Sequence, residues 1–161
     1  MADVIIQRAG DLDEGTPQTP GLRRLEAISS RLTGSEHIWM GLSVLPPGGR
    51  TAWHHHGDSE TALYVLSGTG RWWIGDAPAD VREAHPGDFV FVPPRVPHWE
   101  ENGSLDQPVE MIVARSTQEA IVVNIDHPLP GIAQDRDDSP PIDSAATKAP
   151  EPAGLSSDDV G

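Results

Sequence analysis

The 161-residue chain contains no cysteine. That absence excludes a disulfide scaffold, a thiol nucleophile and any zinc or iron–sulfur site built on thiolates, while leaving the compartment open. Long apolar runs are missing too, and none approaches the ~20 residues that a membrane-spanning helix needs. Met1-Ala2-Asp3-Val4 lacks the basic start and apolar core of a secretory signal. The expectation is a cytoplasmic protein with no membrane partner. Basic side chains are scarce, 11 Lys and Arg against 25 Asp and Glu, a formal charge of −14. Nucleic acid and anionic lipid both recruit clustered Lys and Arg, so neither is an expected partner. Several reactive motifs are also missing. There is no Gly-x-Ser-x-Gly elbow and no Cys–His pair. Gly68-Thr69-Gly70 lacks the third glycine and the following helix of a dinucleotide fingerprint, and no Gly-rich loop ends in Gly-Lys-Ser/Thr.

What is present is a single domain's worth of chain. Short candidate strands separated by Gly, Pro, Asn and Asp give an all-β pattern. They are 37–45, 50–56, 62–67, 70–74, 88–92, 109–115 and 120–125. Pro46-Pro47-Gly48-Gly49 separates the first pair, and Gly75-Asp76-Ala77-Pro78 ends the fourth. This spacing predicts a sandwich or barrel rather than a βαβ sheet. The stretch 20–32 reads either as a helix, with Leu22, Leu25, Ile28 and Leu32 at helical intervals, or as a strand and turn. Val4-Ile5-Ile6 reads as an edge strand suited to pairing with a second subunit, and so points to a homodimer. Residues 133–161 carry seven acids, two bases and four prolines, with few apolar anchors. Such a segment cannot offset its ordering entropy and is expected to be disordered. The expected division is an N-terminal arm and edge strand over 1–35, a barrel over 36–131 and an acidic tail over 132–161.

The chemistry concentrates in two stretches. His54-His55-His56 is followed by Glu60, and a second segment runs from Gly87 through Pro93 to His98 and Asn102. On a strand, His54 and His56 project from one face and His55 from the other. Four residues of straight strand would carry Glu60 roughly 13 Å from His56, so a shared ion requires a bend. Gly57-Asp58-Ser59 supplies the turn-forming residues. His54, His56, Glu60 and His98 then offer three imidazoles and one carboxylate. That set suits Fe, Mn, Ni, Zn or Cu and leaves positions open for water or substrate. His55, His37, His85 and His127 are expected to be non-ligands, and Asn102 a turn-stabilising residue.

These residues carry a family resemblance. Gly48, five residues, His54-x-His56, three residues and Glu60 resembles the first cupin motif. Gly87, five residues, Pro93, then His98 and Asn102, resembles the second. The likeness implies an antiparallel jelly-roll barrel of two packed sheets with the metal inside one end. Two departures stand out. Seven residues rather than six separate Glu60 from Gly68, which a β-bulge within 61–67 would absorb. Arg95 stands where a glycine usually follows Pro93 by two.

The eight aromatic residues all fall within the expected barrel, and alternation sends Trp72 and Trp73 to opposite faces. They pack a core and, as a group, can also line an apolar small-molecule pocket. Arg50, Arg71, Arg95 and Arg115 are candidates to bind a carboxylate, whose geometry a guanidinium fork matches. The resemblance implies a metal-dependent oxygenase or related lyase acting on a small organic substrate, with Glu60 ligating and shuttling a proton. A non-catalytic small-molecule or metal binder, and an isomerase or decarboxylase, are the alternatives the same fold permits.

Overall fold

The structure, a computed structural model, describes residues 3–74 and 81–126. The expected acidic tail lies outside the described residues. After a 3-10 turn at Ala9–Asp11 come β1 (Arg23–Ile28), the single-turn helix α1 (Ser30–Thr33), β2 (Trp39–Leu45), β3 (His54–His55), β4 (Thr61–Ser67) and β5 (Gly70–Ile74). There follow β6 (Val81–Ala84), β7 (Phe89–Val92), β8 (His98–Asn102), β9 (Val109–Arg115) and β10 (Val123–Asn124). The strands form two five-stranded sheets, ordered β1-β2-β9-β4-β7 and β10-β3-β8-β5-β6. Every named strand pair is antiparallel. This is the sandwich expected from the strand spacing and the jelly roll that the family resemblance implies.

Alternation builds the core. Along β2 and β9 every second side chain is buried, as a strand with one face on the core requires. The two strands pair from Trp39 opposite Arg115 to Leu45 opposite Val109 without a shift. Trp39, Leu45, Leu63, Val65, Trp72, Val109, Met111 and Val113 fill the space between the sheets. A bulge does interrupt β4, where its pairing with β9 shifts between Val65 and Ser67. It absorbs the residue by which the first motif is too long.

The undecided stretch 20–32 becomes both alternatives in turn, a strand followed by one helical turn. Ser29 caps that turn by accepting from Leu32 N–H at 3.2 Å, and Gly34 closes it in the left-handed conformation. β1 therefore adds an edge strand to the first sheet from within the region assigned to an arm. Val4, Ile5 and Ile6 are exposed and form no strand. Two strands had no counterpart in the sequence reading, β6 and β8. Both are rich in charged residues, and β8 follows Pro93, Pro94 and Pro97, none of which can donate to a strand ladder.

The pairing of β1 with β2 leaves no room for a side chain at Gly41. A Cβ placed there would lie 2.1 Å from the Leu25 carbonyl oxygen and 2.7 Å from the Trp39 ring. The carbonyl cannot withdraw without parting the strands, and the Trp39 ring is packed in the core. Gly41→Ala is therefore expected to lower stability by roughly 1–3 kcal/mol, the usual cost of overpacking, read as a shift in the chemical-denaturation midpoint. An unchanged midpoint would mean that β1 is not seated on β2 as described.

Candidate metal centre

The centre is set by one cross-strand pair. His54 opens β3 and faces His98, the first residue of β8, at the only register position those strands share. His56 follows two residues later, on the same face. All three are buried to within a few per cent of complete. Their ring centroids lie 4.4 Å (54–98), 4.8 Å (56–98) and 5.2 Å (54–56) apart. One nitrogen from each comes within 4.8 Å of the others.

The second nitrogen of each ring is already engaged. His54 Nδ1 lies 2.9 Å from the Ala52 carbonyl and His98 Nδ1 2.9 Å from the Val96 carbonyl. A carbonyl only accepts, so each Nδ1 carries the proton and each Nε2 is left as a lone pair. His56 Nδ1 pairs with Thr61 Oγ1 at 2.7 Å. Outer partners of this kind orient metal-binding imidazoles and fix the tautomer. His98 Nε2 is buried without a hydrogen-bond partner. Three oriented Nε2 atoms, one of them orphaned, fit a divalent transition metal.

Electrostatics keep these rings neutral. Burial, then the nearby His98, pushes His54 down to about 3. Burial also lowers His56, with Arg115 as the next contributor. It lowers His98 too, opposed in part by the carboxylate of Glu100. Neutral imidazole is the ligating form.

Glu60 is not brought to the three histidines. Its side chain is exposed, while its backbone N–H donates to Ser116 Oγ at 3.0 Å and its carbonyl accepts from Ser116 N–H at 3.1 Å. The inward position at the start of β4 belongs to the next residue, Thr61, only 1% exposed. His55 faces away, its Nδ1 accepting from Gly57 N–H at 3.0 Å. His37 and His85 are exposed, and His127 lies outside the described residues. Asn102 is fully buried and clamps a loop, donating to the Pro46 and Gln107 carbonyls at 3.0 and 2.8 Å and accepting from Ser104 N–H at 3.0 Å.

Of the four arginines singled out in the sequence, Arg71 pairs with Glu83 and Arg95 with Asp58 at the surface. Arg115 is 3% exposed inside the barrel. Two interior residues escaped the sequence reading, Arg24 and Glu100. Glu100 lies two residues after His98 and so on its face, a signal available only once β8 is recognised as a strand. A cavity of about 660 Å³ opens between the edges of β6 and β7, with Trp72, Ile74, Val92, Val96 and His98 in its wall. It gives a small molecule a largely apolar route to one ligand of the centre.

Residues 41–115 match the family model described as Cupin domain, and this segment is a cupin domain, with both sequence motifs inside it or at its centre. Among proteins of known sequence, the chain is 45% identical over 53 residues to an (R)-mandelonitrile lyase of Granulicella tundricola, 33% of this chain and 38% of that one. It is 33% identical over 60 residues to an uncharacterised protein of Methanocaldococcus jannaschii, 37% of this chain and 46% of that one. The matches thus span less than half the length of either relative. Among solved structures it resembles a polyketide cyclase from Streptomyces resistomycificus (TM-score 0.61, 22% identity, 78% of this chain and 87% of that one). A double-stranded β-helix protein from Klebsiella pneumoniae gives TM-score 0.58 at 16% identity, over 77% of this chain and 99% of that one. Oxalate decarboxylase from Bacillus subtilis gives 0.57 at 22% identity, over 67% and 28%. At these identities the structural likeness establishes the fold.

Thr61→Val removes the partner of His56 Nδ1 while keeping the side-chain shape. Divalent-metal affinity is expected to fall about tenfold or more, measured by competition with a chromophoric chelator, and Thr61→Ser to restore it. Acid should also destabilise the metal-free protein. The folded-state value of His54 lies below its unfolded value, so the unfolded chain binds more protons across that interval. Stability is full above pH ~6.5 and declines as the pH falls from there toward 3. Denaturation midpoints that stay flat between pH 7 and 4 would contradict the buried, neutral rings.

Proposed function

We propose that this protein is a metal-dependent cupin enzyme, an oxygenase or related lyase acting on a small organic substrate. The observation that carries the reading is the convergence of three buried imidazoles whose outer nitrogens are engaged. Three protein ligands with room beside them are the signature of a catalytic rather than a structural site. A bound divalent ion would act as a Lewis acid on a substrate oxygen, or as a redox partner for oxygen. His54, His56 and His98 would hold it, Thr61 would keep His56 in register, and the apolar walls of the cleft would exclude bulk water from the substrate. The local likeness to a protein named for lyase chemistry gives the lyase branch specific support. A second reading, binding without turnover, has its own observation in favour: Glu60, the expected proton shuttle and fourth ligand, faces solvent and would have to turn inward to serve.

A homodimer belongs to the same reading. Val4–Ile6 and the half-buried Trp73–Trp99 stack on the outer face of the second sheet, with centroids 4.9 Å apart, are apolar surface that a second copy would cover. Deleting residues 1–10 should shift the mass in light scattering toward monomer.

Metal analysis of purified variants tests the centre. His54→Ala, His56→Ala and His98→Ala should each lose most of the bound metal, and His55→Ala should keep it. Glu60→Gln should stay near the parent value; a loss as deep as that of His98→Ala would make Glu60 the fourth ligand. Oxygen uptake or substrate cleavage by metal-loaded protein separates catalysis from storage, and saturable ligand binding with no product would favour the binder.

A further inference from the structure

Behind the histidine cluster lies a second group of buried polar side chains that metal binding does not employ. Arg24 on β1 and Arg115 on β9 project inward from the first sheet, and Glu100 on β8 projects inward from the second. They are 2%, 3% and 4% exposed. Each arginine is tethered at one end only. Arg24 Nη1 donates to the Pro17 carbonyl at 2.6 Å, and Arg115 Nη1 donates to the Ile121 carbonyl. Among the described residues, neither guanidinium has a carboxylate within ion-pair distance. Glu100 Oε1 accepts from the Trp72 indole N–H at 3.2 Å. That leaves Arg24 Nε, Arg115 Nε and Glu100 Oε2 buried without partners, together with His98 Nε2.

Orphaned polar atoms of this kind, here two donors and two acceptors, are rare in folded proteins, and an unfilled ligand position is one physical cause. With the histidines neutral, the group carries a net single positive charge in a place water scarcely reaches, and a divalent ion would add to it. Both guanidiniums act electrostatically on His54 and His56. Arg115 is itself held down to about 9 by burial and by Arg24. Glu100 offsets one of the two positive charges from a distance, and what is missing is an anion that accepts directly from the two guanidiniums. The cleft wall includes His98 and Trp72, the partner of Glu100, so the group adjoins the cleft through these two side chains, with the arginines beyond its wall.

We propose that Arg24 and Arg115 form a carboxylate-binding subsite facing the histidine cluster, so that the ligand of this barrel is a small carboxylic acid. The two guanidiniums bind its carboxylate, and its remaining polar atoms are presented to the imidazole nitrogens. Glu100 bounds the subsite and would repel a second anionic group on its side, which favours short acids over long dianionic ones. This assignment rests on the reading of the barrel interior as a small-molecule site, though not on the metal being bound.

The test uses the full chain, both as purified and after metal removal with phenanthroline and desalting. Acetate, glycolate, malonate and succinate are titrated against sodium chloride of matched ionic strength, with malonamide as the neutral analogue. At least one acid should give a saturable rise in melting temperature in the metal-free protein, and malonamide none. Arg115→Met should abolish that rise and, by removing an uncompensated charge, raise the melting temperature of the ligand-free protein. Arg24→Met should weaken the response at least tenfold. Should Arg115→Met fail to fold, Arg115→Lys, which keeps the charge without the fork, should also weaken binding at least tenfold. Absence of any saturable rise with all four acids overturns the proposal, as does an undiminished response in both arginine variants. Metal content is measured in parallel. Loss of carboxylate response with metal retained locates the failure in the subsite, whereas a metal-free parent that still binds acid leaves the subsite standing if the metal reading falls.

Discussion

One cross-strand pair holds the centre together. His54 and His98 come from segments far apart in sequence, and β3 meets β8 at that single position. A strand contact so short has little strength of its own. The flanking bonds Thr51 N–H to Glu100 O, at 2.9 Å, and Asn102 N–H to Gly49 O, at 2.8 Å, continue it on one side. The ring geometry therefore depends on the whole sandwich keeping β8 between β3 and β5. A slip of one residue would turn His98 outward and bring Trp99 in, because side-chain direction reverses with every residue of strand. The centre and the fold are in that sense one specification.

Much of this was legible in the sequence, for a reason that can be stated. Period-two spacing fixes which of three adjacent histidines turns away, and His55 does so. The extra residue before Gly68 reports a bulge, since a strand held in register on both sides has nowhere else to place it. Glu60 is the instructive divergence. Spacing measures distance along the chain, whereas facing depends on where the strand resumes after the turn. Here β4 begins at Thr61, and its inward side chain is a hydroxyl. The charged residues of β8 were hidden by a different effect. Burial of Glu100 beside an indole N–H is a tertiary outcome, invisible to any local pattern that treats Glu as a surface residue.

The interior is unusual for a small barrel in what it buries. Three imidazoles, two guanidiniums and a carboxylate occupy space that aliphatic side chains would fill more cheaply. An uncompensated buried charge costs several kcal/mol even after relaxation. Trp39, Met111, Val113 and their neighbours supply the apolar burial that offsets it. The space between the two sheets thus holds both an apolar core and a cluster of buried polar groups, and stability gained from the first sustains the second.

The turn at Arg95 has a bearing on how this cluster responds to its surroundings. Arg95 is the sole non-glycine residue with positive φ, 61°, among those described, a conformation that costs a side chain about 1–2 kcal/mol. Its backbone N–H donates to the Gly57 carbonyl at 2.8 Å, and its guanidinium reaches Asp58 at 2.6 Å. Gly57 and Asp58 directly follow His56, and Arg95 precedes His98 by three residues, so this clasp joins the two halves of the centre from outside. The ion pair is exposed, so it contributes little, and less as salt screens it. The backbone bond to Gly57 is thus the main restraint that offsets the strain. Concentrated electrolyte therefore weakens the outer half of this clasp, the ion pair, and leaves the inner half, the backbone bond, to hold the two halves of the centre together.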